Sequence, residues 1–435
     1  MPSQVPGATG ATITAVRGVL VEARPGEPLP PLPRSAWLEI DLDALVANVR
    51  LIESILPPGV RVEPVVKADA YGHGAVMVAR ALVGEGIRSL SVATFDEALE
   101  LRRAGIEVPI LVVFPIPPEL APAARRHRVS VSAGDRVLLE RTLDALAAEP
   151  GSHGSVPRLA VHVEVETGLG RGGVAPDDVA PTVALIDASP HARVVGLWSH
   201  LQAAGDAGIS AEQGRRFGAA AALLEASGRA VPSRHLAASG GVLTGATGDC
   251  DVVRVGLAQH GLIPDGLEIP PALRDIAARL RPVMALRAKP VRVAWLESGT
   301  GVSYGPSFRT ARRSLIATLP VGYADGYMRA FSNRASLLVR GVRVPQVGTV
   351  AMDAIMADVT DVPGPQVGVD DEFTLLGEQG GASIGAVEMA RWSDTISYEV
   401  LAGWSARLPR VYYASASTVG MRTLALDPTG DREKR

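Results

Sequence analysis

Lys67 arrives at the end of the apolar run Val-Glu-Pro-Val-Val (62–66) and is followed at once by Ala68-Asp69-Ala70-Tyr71-Gly72-His73-Gly74. The run reads as a buried strand and the small residues as the loop leaving it. That places an amine at a strand end and a phenol four residues on. A lysine partly out of water loses some preference for its charge, so its amine becomes a usable nucleophile and can form a Schiff base. The competing reading is a lysine that snorkels from a strand end into solvent. Taken alone, that reading is the better one, and only the rest of the chain changes the odds.

Further groups could do chemistry. Arg254-Val-Gly256-Leu257 joins a guanidinium, which can face a heterocyclic nitrogen and hold it unprotonated, to a glycine whose backbone can approach a phosphate closely. Tyr71, Tyr304, Tyr323 and Tyr327 all fall in or beside glycine-rich turns, where a tyrosine is more often a surface or site residue than a core one. Gly168, Gly170 and Gly173 spell G-x-G-x-x-G after a strand, with Asp187 near the spacing of a ribose-binding acid, so a dinucleotide site is formally possible. The match follows the fifth strand of a series and carries Arg171 at its centre, and the reading is set aside. Met352-Asp353 and Ile396-Ser-Tyr398-Glu399 would not stand out alone.

The elements that must position these residues alternate. Strand patterns at 61–67, 89–95, 108–114, 129–132, 159–167, 194–200, 234–239 and 252–257 are mostly followed by helical ones. Eight parallel strands with crossover helices close into a barrel of roughly 250 residues, with the chemistry at the carboxyl ends of the strands. Lys67, Thr167 with Arg171, His200 and Ser239 sit at such ends, and Arg254 lies within the last strand. The fold class expected is α/β: a TIM-like (β/α)8 barrel over 35–275, then a mostly β domain over 276–425. A hairpin is expected around Gly341 and a helix near 384–391. Residues 1–34 read as a flexible, proline-rich lead-in and 426–435 as a frayed tail.

The 435 residues suffice for two cores. A formal net charge of −3 gives no electrostatic case for nucleic acid, and one cysteine, Cys250, excludes an internal disulfide and the cysteine-rich metal patterns. Arg17 and Glu22 interrupt the only early apolar stretch, against a secretory signal, and no run of about 18 apolar residues could span a membrane. A soluble, cytoplasmic protein is expected, with neither a nucleic-acid nor a membrane partner and no metal.

The set resembles the alanine racemase family. Val-Val-Lys67-Ala-Asp-Ala-Tyr71-Gly-His-Gly is similar to its pyridoxal phosphate (PLP) lysine motif. Thr167-Gly-Leu-Gly-Arg171, Arg254-Val-Gly256, Val-Ser-Tyr304-Gly, Val321-Gly-Tyr-Ala-Asp-Gly-Tyr, Met352-Asp353 and Ser397-Tyr398-Glu-Val follow in the family's order. The resemblance implies a PLP-binding barrel and a β domain working as a head-to-tail homodimer. It implies Lys67 as the Schiff-base lysine and Tyr304 of the partner subunit as the second base. It implies phosphate contacts from Tyr71, Ser239, the backbone of Gly256 and Leu257, and Tyr398. Arg254 would face the pyridine nitrogen and His200 would lie near the ring, while Arg171, Met352 and Asp353 would serve the substrate side.

Three positions depart from the family. Glu164 stands where the family often carries a lysine modified to a carbamate, Glu166 where aspartate is usual, and Gln259-His260 where a tyrosine is common before Gly261. The activity implied is interconversion of L- and D-alanine by a PLP enzyme with two bases. A serine or broader amino-acid racemase is the runner-up. Other barrel-type PLP enzymes (a decarboxylase or a D-amino-acid lyase) and a non-catalytic PLP carrier follow behind.

Overall fold

The computed structural model describes residues 13–15, 18–23, 29–149, 157–230 and 233–425. The tail at 426–435 and positions 1–12, 16–17 and 24–28 of the lead-in lie outside the described residues. The described residues divide into two compact units, one within 44–71 and 75–281, the other of those up to 43, 72–74 and those from 282 on.

The first unit is the expected barrel. Leu90–Val92, Ile110–Val112, Val129–Ala133, Leu159–Glu164, Ala192–Trp198 and Arg234–His235 form a six-stranded parallel sheet in chain order. Arg61–Pro64 pairs in parallel with Val252–Val255. Bridges from Val65 to Ser91 and from Ala238 to Arg254 join the two sheets into a ring of eight. Helices fill the crossovers because their apolar residues recur at helical spacing. In Arg136–Ala147, Leu139, Thr142, Leu143 and Leu146 are buried on one face. That helix starts at Asp135, whose carboxylate accepts from the Leu138 N–H at 2.8 Å, a cap contributing about 1 kcal/mol.

The second unit is mostly β. Its largest sheet includes Met284–Ala288, Phe373–Gln379, the Ser336–Val339/Val342–Pro345 hairpin, Arg410–Ala414 and Ser417–Thr423. The hairpin turns at Arg340 and Gly341, both at positive φ, as the glycine there suggested. Ala386–Ser393 is the expected helix. Two segments sit differently from the sequence reading. Ala36–Asp41, taken as the start of the barrel, pairs with Met284–Ala288 and Arg410–Ala414. Within the segment taken as a flexible lead-in, Gly18–Glu22 is a strand on Ser417–Thr423. Both are long-range pairings whose partners lie hundreds of residues away, so no local pattern announces them.

Candidate active site

The barrel strand of Lys67 ends in an uncommon turn. Ala68, Asp69, Ala70 and Tyr71 have φ of 52, 58, 52 and 54°, all left-handed. Such a conformation costs L-residues roughly 1–2 kcal/mol each, so the turn must be held from outside. The Glu97 carboxylate accepts from the Ala68 N–H at 2.6 Å, and the Asp69 carboxylate from the Ala75 N–H at 2.9 Å. The Val66 carbonyl accepts from the Ala70 N–H at 2.9 Å. The turn fixes the direction in which Lys67 and Tyr71 leave the strand.

Burial lowers the pKa of the half-buried Lys67 amine, and the Arg171 and Arg254 guanidiniums lower it further against the opposing pull of Glu97. A lysine so placed is more often neutral than one in water, which is what a nucleophile or base requires.

Arg254 makes several hydrogen bonds in the barrel interior. It donates to the carbonyls of Ser199 (2.6 Å), His235 (3.1 Å) and Leu236 (3.3 Å). It also lies 2.6 Å from His235 Nδ1 and 3.2 Å from His200 Nδ1, with its guanidinium 4.8 Å from the Trp198 ring centroid. Burial lowers its pKa to about 10, so it stays a cation at neutral pH. Because arginine only donates, His200 must accept on Nδ1 and carry its proton on Nε2. Burial, then Arg254, Arg171 and Lys67, push the His200 pKa down to about 3, so this imidazole is neutral.

Ser239, Gly256 and Tyr71 converge. The Ser239 hydroxyl oxygen accepts from the N–H groups of Gly256 (3.1 Å) and Ala258 (3.2 Å), on either side of Leu257. A Cβ on residue 256 would overlap the Tyr71 hydroxyl, so only glycine lets that phenol reach the backbone. The Tyr71 ring packs on the His260 ring, centroids 5.4 Å apart. Two hydroxyls against a bare stretch of backbone make a cradle suited to an anion.

Arg171 and Glu164 are 3.8 Å apart, and the Arg171 guanidinium lies 5.5 Å from the centre of the Phe114 ring. Burial raises the Glu164 pKa, and Arg171 works against that rise. The neighbouring glycine loop is closed by its own chain. Glu166 accepts from the N–H groups of Gly168 and Gly170, and Asp187 is paired with Arg229. The loop amides and the acid of the dinucleotide reading are thus engaged elsewhere.

Tyr304, Met352, Asp353 and Tyr398 belong to the other unit. Tyr304 is at the tip of the Gly301–Val302/Phe308–Arg309 hairpin, between Ser303 and Gly305, both at positive φ. It is 75% exposed, a degree that a packed tyrosine would not show. Met352, 51% exposed, accepts through its carbonyl from the Ala324 N–H at 3.1 Å. Asp353 accepts from Arg407 at 2.6 Å, so its carboxylate already has a cationic partner. Tyr398 lies in the helix Ser397–Ala402.

Sequence reasoning missed Glu97, which ties down the left-handed turn, and His235 with His162, which stand behind Arg254. A signal for His162 existed: it alternates with Glu164 along one strand and so shares its face. Among the described residues no group of three or more His, Cys, Asp or Glu could hold a metal, and no helix is long and apolar enough to cross a membrane.

Residues 40–264 match the family model "Alanine racemase, N-terminal domain" and residues 283–412 the model "Alanine racemase, C-terminal domain". The chain is 40% identical over 381 residues to the alanine racemase of Desulfovibrio desulfuricans, covering 87% of this chain and 98% of that one. It is 41% identical over 382 residues to that of Symbiobacterium thermophilum, covering 87% and 97%. Among solved structures, the Bacillus anthracis alanine racemase with bound L-Ala-P superposes with a TM-score of 0.82 at 32% identity, covering 91% of this chain and 99% of that one. The enzyme from D-cycloserine-producing Streptomyces lavendulae gives 0.79 at 34% identity, covering 88% and 98%.

Proposed function

Because the chain belongs to the alanine racemase family, and is thus a racemase, we propose that it interconverts L- and D-alanine with pyridoxal 5'-phosphate as cofactor, as a cytoplasmic head-to-tail homodimer. The observation that carries this reading is the Lys67 amine, shifted toward its neutral form by burial and by two guanidiniums at the mouth of a closed barrel.

The residues fit the cofactor. The Tyr71 and Ser239 hydroxyls and the backbone at Gly256 and Leu257 suit a phosphate, and by the family's pattern Tyr398 would be a further donor. Lys67 would supply the amine that anchors the cofactor. Arg254, a donor with its charge retained, would face the pyridine nitrogen and keep it unprotonated. Neutral His200 can lie against the ring without adding charge. When bound, PLP supplies the electron sink that makes the Cα proton of an amino acid removable.

The protein's own part is to place two proton carriers on opposite faces of that carbon. Lys67 takes or returns the proton on one face. Tyr304 of the partner subunit serves the other, and its exposure suits a residue supplied to a second copy. A phenol with a pKa of about 10 needs nearby positive charge to act as a base, and Arg171 is the candidate source. Arg171, oriented by Glu164, would hold the substrate carboxylate. Met352 and Asp353 would line the same side.

Borohydride reduction of the PLP-loaded protein followed by peptide mapping tests the anchor. The expected result is a pyridoxyl label on Lys67 and loss of the visible imine band; a label elsewhere, or none, contradicts the reading.

A further inference from the structure

Barrel interiors are mostly filled by branched apolar side chains. This one carries a polar set around Arg254 of which the racemisation reading uses Arg254 alone. Glu63 and Arg254 are register partners on adjacent parallel strands, so their side chains leave the sheet on the same face. Both are buried, Glu63 at 7% exposure and Arg254 at 3%. The Ser91 hydroxyl donates to the Glu63 carboxylate. Of the groups that act on Arg254, Glu63 contributes the largest effect opposing burial.

On its other side Arg254 faces a pair of imidazoles. His235 Nδ1 is 2.6 Å from the guanidinium and must accept, which puts the His235 proton on Nε2. That nitrogen is 3.0 Å from His162 Nδ1, so His162 accepts in turn and carries its own proton on Nε2. The bonds run one way, from Arg254 through His235 to His162. Burial keeps both rings neutral, with the His162 pKa pushed down to about 4. The arrangement is built for: Gly196 is the register partner of His162, and a Cβ there would overlap the His162 ring.

We propose that Glu63, as buried counter-charge, and the His235–His162 pair, as a one-way hydrogen-bond chain, are positioning residues that keep Arg254 charged and fixed at the barrel mouth. What Arg254 faces there rests on the PLP reading; the internal chain does not.

The test has three readouts. In the cofactor-free full chain, Glu63→Gln is expected to lower the urea midpoint in the wild-type background and to cost much less in an Arg254→Gln background. Equal costs in both backgrounds would overturn the counter-charge. Selective nitrogen-15 histidine spectra of the unmutated chain should show His162 and His235 neutral with the proton on Nε2 from pH 5 to 8, and a proton on His235 Nδ1 would overturn the chain. In the PLP-loaded enzyme, His235→Leu should lower kcat about tenfold or more, the scale of a lost charged hydrogen bond, with KM within about twofold. His235→Gln, which can accept from Arg254 and donate to His162, should restore most of it, and equal activity of the two variants would contradict the proposal. If the wild type does not racemise alanine, the first two readouts still decide, so failure of the function and failure of this inference are separate results.

Discussion

The Tyr71 hydroxyl stands where the Cβ of any residue other than glycine would be at position 256. The His260 ring supports the tyrosine from the side, its plane tilted 51° to it. A phenol, a serine hydroxyl and a stretch of backbone therefore meet with no room to spare.

Gly256→Ala should push Tyr71 off the cradle. Overpacking of this kind costs about 1–3 kcal/mol, so PLP should be held roughly tenfold less tightly while the barrel still folds. Equilibrium dialysis of the loaded protein, with circular dichroism as the folding check, measures both. Tyr71→Phe, which loses the hydroxyl without a clash, should weaken retention less than Gly256→Ala.

Uptake of PLP by the cofactor-free chain should depend on pH through Lys67. Burial and the two guanidiniums lower its pKa. The ammonium form is not a nucleophile, so the rate of imine formation should rise with pH and level off through a midpoint below 10.5, the ordinary lysine value. Arg171→Gln removes a lowering influence and should move that midpoint upward. Stopped-flow absorbance at the imine band measures it.

Glu164 carries its carboxyl group as part of its own side chain beside Arg171, with no carbon dioxide needed to make it. Activity should therefore be indifferent to added bicarbonate, and Glu164→Gln should not be rescued by it. The pair is 3.8 Å apart and the Arg171 side chain is 42% exposed, so solvent screens much of its attraction. An effect of about 0.2–1 kcal/mol follows, seen as a rise in KM for alanine of up to about fivefold with kcat less affected. Steady-state kinetics with and without bicarbonate check both statements.

A site shared between two subunits, as proposed, predicts complementation. Lys67→Ala and Tyr304→Phe should each abolish racemisation as pure preparations. When the two are unfolded and refolded together, mixed dimers contain one intact lysine–tyrosine pair, and random assortment should return roughly a quarter of the wild-type sites. No recovery would place both bases on one chain.

The barrel was legible in the sequence because its eight strands and their helices follow one another with local, repeating patterns, and the β domain because its turns are marked. The residues at strand ends, Lys67, His200 and Ser239, could be named for the same reason. Three things were not legible. The left-handed run from Ala68 to Tyr71 contains no glycine, so nothing in its composition signals positive φ; Glu97, thirty positions downstream of Lys67, holds it. The strand Ala36–Asp41 lies close in sequence to the barrel but pairs with segments near 284–288 and 410–414. The resemblance assigns Asp353 to the substrate side, and that its carboxylate also accepts from Arg407 is something no motif foretells.

The most direct measurement is incubation of the PLP-loaded protein with L-alanine in deuterium oxide, with chiral chromatography and mass analysis of the product. The expected result is approach to equal amounts of the two enantiomers, with one deuterium at Cα of the D-alanine formed and no net loss of amino acid. L-Alanine that stays L and free of deuterium, under conditions where the imine band is present, would contradict it.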